Sequence, residues 1–426
     1  MENYAKKIKH VKQVKNVKQV KKLNRMNVLS LIKEYEVISR KDLADITGLT
    51  PPAITNIIRE FLELGLVTEE GVEESKGGRR AVKLKFNHES GYVLGLEVMM
   101  NEVKIAVTDL KNDPTYFETF SIDMSDPNAG VKALLNEIKQ FMKSKDFLNK
   151  KIIAVGIAFP ALVLAKEGII KRAVNLGPLW DRFPLKNIME QELNLPVFIE
   201  NNSNASALAE RWFGGGTNSR DLVYINLGEG ISAGIIMDDR IVYGFQGHAG
   251  EIGHILVRHN GPLCNCGNRG CLESICGIPA LTRKANAELP LLSNSDPLKE
   301  LWEHNKKVTI NDIMTCAQNE GSYAWEIIRQ AGKDIGIALA SLINLYNPEV
   351  IFIGGKLSAA KDVLLGPIID EIRAHSFPEI ATITKIKISA LGKNSGTIGA
   401  CALAIRELFK PSSGVILNEI CGQEAF

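Results

Sequence analysis

Residues 247–277 read GHAGEIGHILVRHNGPLCNCGNRGCLESICG. In this stretch His254 is followed by Cys264, Cys266 and Cys271. One imidazole and three thiolates form a closed tetrahedral donor set of the kind structural zinc takes. Gly261, Pro262, Gly267 and Gly270 let the chain between them fold back without a regular element. Buried free cysteines rarely bunch this closely beside a Gly-rich turn, which favours metal over plain burial. His259 and Cys276 are alternative ligands. His254 is preferred because Glu251 stands three residues before it, and one helical turn over residues 251–257 would put both side chains on one face.

Outward from this loop, the chain has ordinary globular composition. Its 426 residues suit about two or three domains. Hydrophobic residues make up 45% and charged residues 23%, and the net charge of +2 gives no global pull toward nucleic acid. Apolar runs fall short of the ~18 residues of a membrane span, and the start lacks a signal-peptide core. Seven cysteines, three of them in the metal pattern, suit a reducing compartment rather than a disulfide framework. A cytoplasmic location with no membrane partner is expected.

Charge is uneven at the amino terminus. The first 22 residues hold eight lysines against one acid, with Val-Lys recurring every third residue. They read as a basic arm for DNA phosphates. Residues 23–88 then read as three short helices and a hairpin. Met26, Val28, Leu29, Leu31 and Ile32 form the first apolar stripe. Ser39 is a good cap for the second helix. After the turn at Gly48, Thr50 should cap a third helix with Pro51 in its first turn. Ile54, Ile57, Ile58, Phe61 and Leu62 recur at helical spacing on one face, while Thr55, Asn56 and Arg59 fall on the other. Two helices joined by a Gly turn, the second polar outside, are a helix-turn-helix. Thr50, Thr55, Asn56 and Arg59 are the expected DNA contacts in the major groove. A hairpin whose tip carries Lys76, Arg79 and Arg80 is the expected wing, suited to phosphates or a minor groove.

From residue 91 the pattern becomes α/β. Residues 92–96, 103–110 and 116–122 read as strands, 131–147 as an amphipathic helix and 152–159 as a buried strand. A strand at 197–199 ends in Glu200-Asn201-Asn202-Ser203-Asn204, followed by a helix from 205 to 212. Residues 222–227 and 232–237 form a hairpin, 331–346 a long helix, 350–353 a strand and 397–408 a closing helix. The expected division is lobe one at 91–204, lobe two at 205–408 with the metal loop at 254–271, and a tail at 409–426.

The run AGEIGH…CxCGxxGCLE resembles the signature of the ROK family of bacterial repressors and sugar kinases, and the winged head followed by Gly-Gly-Arg-Arg resembles the amino-terminal part of its repressors, including the xylose-repressor type. The resemblance covers about residues 24–408. It implies a winged helix-turn-helix followed by a two-lobed actin-like ATPase fold. It places structural zinc on His254, Cys264, Cys266 and Cys271. Sugar contacts fall on Glu251, His254 and Glu273, and Asn175 resembles another. Asn201 and Asn202 add planar amides suited to vicinal hydroxyls. Trp180 is a candidate to face a pyranose ring, although a lone Trp is more often core.

Three places bear on kinase activity. A ROK kinase carries a DxGGTK-like phosphate loop at the end of the first strand, where this chain has Glu97-Val98-Met99-Met100-Asn101. Its methionines would fill the space phosphates need. The family's general base is the Asp of an ENDAN-like segment, and Asn202 stands there, an amide without useful basicity. Gly228-Glu229-Gly230 keeps the glycines of a second phosphate loop but puts a carboxylate among them, and Gly354-Gly355 resembles an adenosine-side turn. The expectation is a sugar-responsive repressor of carbohydrate-use genes with a catalytically disabled sensor and no catalytic residue. It would bind operator DNA and a sugar effector as a homodimer or a dimer of dimers. The alternative is an active or bifunctional kinase phosphorylating a hexose or N-acetylhexosamine with ATP.

Overall fold

The computed structural model describes residues 17–72, 82–111, 114–145, 147, 150–292, 295–410 and 415–421. Most of the lysine-rich arm, and the wing tip with Lys76, Arg79 and Arg80, lie outside the described residues. Helix α1 (Val17–Glu34) starts within the arm and crosses the expected boundary at residue 22. Its buried half nucleates the helix, and Lys and Gln propagate it at little cost. Met26, Val28, Leu29, Leu31 and Ile32 are all buried. After β1 (Val37–Ser39), Ser39 and Asp42 form a reciprocal capping box for α2 (Arg40–Thr47). Gly48, at φ 69°, ends α2 in the left-handed region.

Helix α3 (Pro51–Glu63) buries Ile54, Ile58 and Phe61. Thr50 occupies its N-cap position but makes no side-chain cap bond, which corrects one expectation. Prolines at the first two helical positions supply no N–H, so less remains for a cap to accept. Strands β2 (Val67–Val72) and β3 (Val82–Phe86) complete a wing in the order β1-β3-β2.

The body begins with β4 (Tyr92–Val98), β5 (Glu102–Asp109) and β6 (Pro114–Ser121), followed by α4 (Pro127–Met142). Strand β7 (Ile152–Phe159), the small hairpin β8 (Leu162–Leu164) and β9 (Ile169–Arg172), and helix α5 (Leu185–Leu193) come next. Strand β10 (Val197–Asn201) runs straight into α6 (Asn202–Phe213). The first sheet has the order β10-β7-β4-β5-β6. All eight residues of β7 are buried, as expected for a parallel strand covered on both faces.

The second half holds β11 (Leu222–Leu227), β12 (Ile231–Met237), β13 (Arg240–Ile241), the short helix α7 (Leu272–Cys276) and α8 (Ile278–Glu288). It continues with α9 (Pro297–Asn305), α10 (Ile310–Cys316), the long α11 (Tyr323–Tyr346), β14 (Val350–Gly354), α12 (Asp362–His375), α13 (Pro378–Ile383) and β15 (Lys385–Ile388). Its sheet reads β13-β12-β11-β14-β15. Each sheet has an antiparallel meander on one side of its first strand and two parallel strands on the other. The two halves are therefore copies of one topology. Helix α14 (Ser395–Leu408) returns to the first sheet, and α15 (Val415–Cys421) follows it. A Cβ on Gly95 or Gly156 would strike Cys401, Thr397 or Ala400 of α14, so bare backbone lets the helix lie close.

The expected lobe boundary at residues 204–205 falls inside α6, which crosses it without a break. The head shares one hydrophobic core with Val93, Leu110 and Ile153 of the first lobe and with Ile405, Leu408, Ile416 and Leu417 of the closing helices. Trp180 is fully buried and donates its Nε1 hydrogen to the Met124 carbonyl at 2.7 Å, so it is core and not a sugar platform. Among the described residues no helix is long and apolar enough to cross a membrane.

Candidate functional site

The ends of the strands open into one cleft of about 1190 Å³ between the two sheets. It exceeds the ~300–1,000 Å³ of a typical small-molecule site, so one sugar would fill only part of it. Ligands in open α/β sheets gather at such strand ends. Asn175, Asn201, Asn202, Glu251, His254 and Glu273 all line the cleft. Met99, Met100 and Asn101 line it as well, together with Gly228, Glu229, Gly230, Gly355 and Lys356.

Lining is not the same as availability. Asn201 is committed elsewhere. Its carbonyl oxygen accepts from the amides of Ser203 and Asn204 at 2.8 and 3.4 Å, which caps α6, and its amide donates to the Ala161 carbonyl at 3.0 Å. Asn202 is half-buried at the first position of α6, and no described residue hydrogen-bonds its side chain. Glu273 accepts from the Ile231 amide at 2.9 Å through one carboxylate oxygen, which ties α7 to the turn before β12.

The metal loop is built as a tight hairpin. Cys264 N–H donates to the Asn268 carbonyl at 2.7 Å, and Gly267 N–H to the Cys264 carbonyl at 2.9 Å. Instead of one α-helical turn, Ile252–His254 forms a short 3-10 segment. It turns His254 so that Nδ1 lies 3.6 Å from Cys264 Sγ while Nε2 lies 3.8 Å from a Glu251 oxygen. Cys266 and Cys271 place their sulfurs 3.7 Å apart. The four ligand atoms of His254, Cys264, Cys266 and Cys271 all fall within 4.8 Å of one another, and neither His259 nor Cys276 joins them. Ligands ~2.0–2.3 Å from a tetrahedral zinc stand roughly 3.5–3.8 Å apart, so this donor set fits the metal. Burial, reinforced by the neighbouring thiols, pushes the Cys271 thiol up to about 12, so a bound cation is what would hold it as thiolate.

An ion pair from within the loop to a distant helix braces it. Arg258 Nε and a terminal guanidinium nitrogen donate to the two carboxylate oxygens of Asp334 on α11, at 3.1 and 2.6 Å. The pair is 76 residues apart in sequence, and no local pattern announces it. Burial raises the Glu251 carboxyl above its usual range; His254 opposes that and Glu273 adds to it. A carboxylate so placed can accept from the hydroxyls of a bound sugar.

At the other end of the cleft, Glu97 is half-buried, and desolvation raises its carboxyl above the usual range. It accepts from the Thr397 hydroxyl at 2.9 Å and lies 3.9 Å from the Lys104 ammonium. Met100 is 38% exposed at the end of the first strand's turn, and Glu229 is exposed.

On the head, Asn56 and Arg59 are exposed on the outer face of α3. Thr50 is exposed too, but Thr55 turns its hydroxyl back onto the Pro51 carbonyl at 2.9 Å. Glu60 accepts a bidentate contact from Arg25 at 2.9 Å, which fixes α3 against α1.

Comparison with known proteins identifies the family of the body and the class of the head. The profile of the ROK family matches residues 93–407, and that of winged helix-turn-helix DNA-binding segments matches residues 22–68. The chain is 30% identical over 388 residues to the xylose repressor of Caldicellulosiruptor bescii, covering 89% of this chain and 95% of that one. A crystal structure of a ROK family transcriptional regulator, a homolog of the E. coli MLC protein, superposes with a TM-score of 0.82 at 30% identity, over 95% of this chain and 100% of the other. A ROK family glucokinase from Streptomyces griseus, solved with glucose and AMPPNP, superposes with a TM-score of 0.67 at 28% identity, over 74% of this chain and 100% of the other.

Proposed function

The chain belongs to the ROK family, and from that premise we propose that it is a sugar-responsive, DNA-binding repressor of carbohydrate-use genes whose cleft holds its sugar without phosphorylating it. The observation that carries this reading is a winged head that shares one core with the first lobe, whose cleft is lined by Asn202 at the position that the family resemblance assigns to a kinase base.

Asn175, Asn202, Glu251, His254 Nε2 and Glu273 offer the donors and acceptors that would hold sugar hydroxyls. His254, Cys264, Cys266 and Cys271 would hold structural zinc, whose charge would keep the thiols ionised and the loop closed. His254 is then fixed through Nδ1 and presents Nε2 to the cleft, so loop and sugar site are one device. Asn202 can hydrogen-bond the hydroxyl that a kinase would deprotonate, but it cannot take the proton, and loss of such a base costs about 10²–10⁴ in rate. Met99 and Met100 line the cleft where the family resemblance puts a phosphate loop, and Glu229 would bring negative charge toward phosphate oxygens bound there.

Sugar between the lobes favours one lobe angle, and the head follows because it is built into the first lobe's core. Helix-turn-helix heads read half-sites about one turn apart, which argues for a homodimer or a dimer of dimers. Cysteines arranged as metal ligands and a DNA target both suit a reducing, cytoplasmic setting. Fluorescence anisotropy on DNA selected by the protein, with and without D-xylose, D-glucose or N-acetyl-D-glucosamine, tests the reading. A sugar-dependent change in affinity is expected. No effect of any of these sugars would remove the sensing claim.

The likeness to a glucokinase supports a second reading, an active sugar kinase. A coupled assay with ATP and the same sugars decides between them. Turnover at an ordinary enzyme rate of about 1–10³ s⁻¹ would replace the first reading with the second.

A further inference from the structure

A run of contacts leads from a residue beside the cleft to the winged head, first through hydrogen bonds and then through an aromatic side chain. Glu200, next to Asn201 and Asn202 at the end of β10, is 2% exposed. None of the described lysines or arginines bonds its carboxylate. Three donors hold it instead. The Asn201 N–H and the Asn204 side-chain amide reach one oxygen at 2.9 and 3.1 Å, and the Tyr243 hydroxyl reaches the other at 2.8 Å. Burial, with the Glu200 charge behind it, keeps the Tyr243 phenol protonated, so the hydroxyl is the donor. The same hydroxyl accepts from a terminal nitrogen of Arg406 on α14 at 3.4 Å. Arg406 is held in turn by Glu407 at 2.9 and 3.1 Å.

One turn further on, Phe409 meets the head. Its ring centroid lies 5.5 Å from that of Phe86 on β3, edge to face, and the Lys33 ammonium of α1 sits 4.7 Å above it. Tyr243 also stands at the root of the loop that delivers Glu251 to the cleft, where its carbonyl accepts from the Ala249 N–H at 3.1 Å. The tip of that loop reaches back to the first lobe through Lys171, which lies 3.0 Å from Gln246 and 2.9 Å from His248. Glu200 belongs to the first sheet, whereas Tyr243 follows the last strand of the second sheet's meander. Their bond spans the two lobes, so it depends on the angle between them.

We infer that Tyr243 is the coupling residue of the molecule, passing effector occupancy between Asn202 and Glu251 to Arg406, and through the end of α14 to the head. The inference rests on the sugar-responsive reading above. It assigns Tyr243 a positioning role, with no contact to sugar or DNA. A buried carboxylate with one oxygen dependent on a single hydroxyl is sensitive to any shift that breaks the bond. An element that both sites bias is what an allosteric link requires.

The test compares the wild type with Tyr243→Phe and Arg406→Gln. A duplex is first selected from random DNA by the wild-type protein. Its Kd is then measured with and without D-xylose, D-glucose and N-acetyl-D-glucosamine, and sugar affinity is measured separately by calorimetry. In the wild type one sugar changes the DNA Kd by roughly 5-fold or more, the lower end of ordinary allosteric coupling. In both variants that ratio falls below about 2-fold, while sugar alone and DNA alone bind within about 3-fold of wild type. A ratio kept at the wild-type value overturns the inference, as does a loss of both affinities with the ratio preserved, since either makes Tyr243 merely structural. Should Tyr243→Phe not fold, Arg406→Gln carries the test, because it leaves the Glu200–Tyr243 bond in place. A wild type without any sugar-dependent ratio would remove the proposed function and this inference together, whereas an altered variant ratio bears on the inference alone.

Discussion

His254 works in two directions at once, with one ring nitrogen among the thiols and the other toward Glu251. That split predicts separable losses. Cys271→Ser should drop bound zinc from about one per chain to near none by elemental analysis. It should also weaken sugar binding by roughly 10–100-fold in calorimetry, the usual cost of disturbing an oriented ligand set. Glu273→Gln should weaken sugar binding yet leave the zinc content intact. The motif made these residues readable, because three cysteines beside glycines have few other uses. Asn201 was not readable in the same way. Its two amide atoms are consumed by the α6 cap and the Ala161 carbonyl, which only the folded strand-to-helix junction reveals. The same holds for Lys33, whose burial lowers its pKa from 10.5 to about 8, with Asp109 opposing. Below about pH 8 both folded and unfolded chains carry the proton, and the fold bears the full penalty, roughly 3 kcal/mol. Between 8 and 10.5 the folded lysine is neutral and stability recovers as pH rises. Lys33→Met should therefore raise the thermal midpoint most near pH 7, with a margin that shrinks toward pH 9.5.

Helix α3 and the central strands carry the argument at the scale of elements. Ile54, Ile58 and Phe61 anchor α3, so Asn56 and Arg59 face outward for a structural reason. Arg59→Ala should cost about 1–3 kcal/mol on the selected duplex and much less on a scrambled one, as anisotropy would show. The helix-turn-helix was legible because its periodicity is strong and its turn needs Gly48 at positive φ. The hairpin β8–β9 was not, since strands of three and four residues leave no period to detect. The close seat of α14 on the first sheet was equally hidden. Gly156→Ala should destabilise by about 1–3 kcal/mol, because its Cβ must displace the Ala400 backbone, and a lowered thermal midpoint would register it.

At the scale of the whole molecule, two sheets of one topology face each other across a cleft that is larger than one sugar needs. If sugar narrows the angle between them, small-angle scattering of the saturated protein should give a smaller radius of gyration than the free protein. The duplication itself is invisible in the sequence, because the two halves share strand order and not residues. What the residues did disclose was the change from helical periodicity to α/β alternation near residue 91. They did not disclose that this change leaves no joint. Val93, Leu110, Ile405 and Leu408 sit in the same apolar cluster as Leu29, Ile58 and Phe86. Anyone building chimeras should therefore treat residue 90 as a poor splice point. A head excised there would carry away half of an oily seam and solubilise badly, and a foreign head grafted in its place would have to match the outer wall of the first lobe as closely as it matches its own operator.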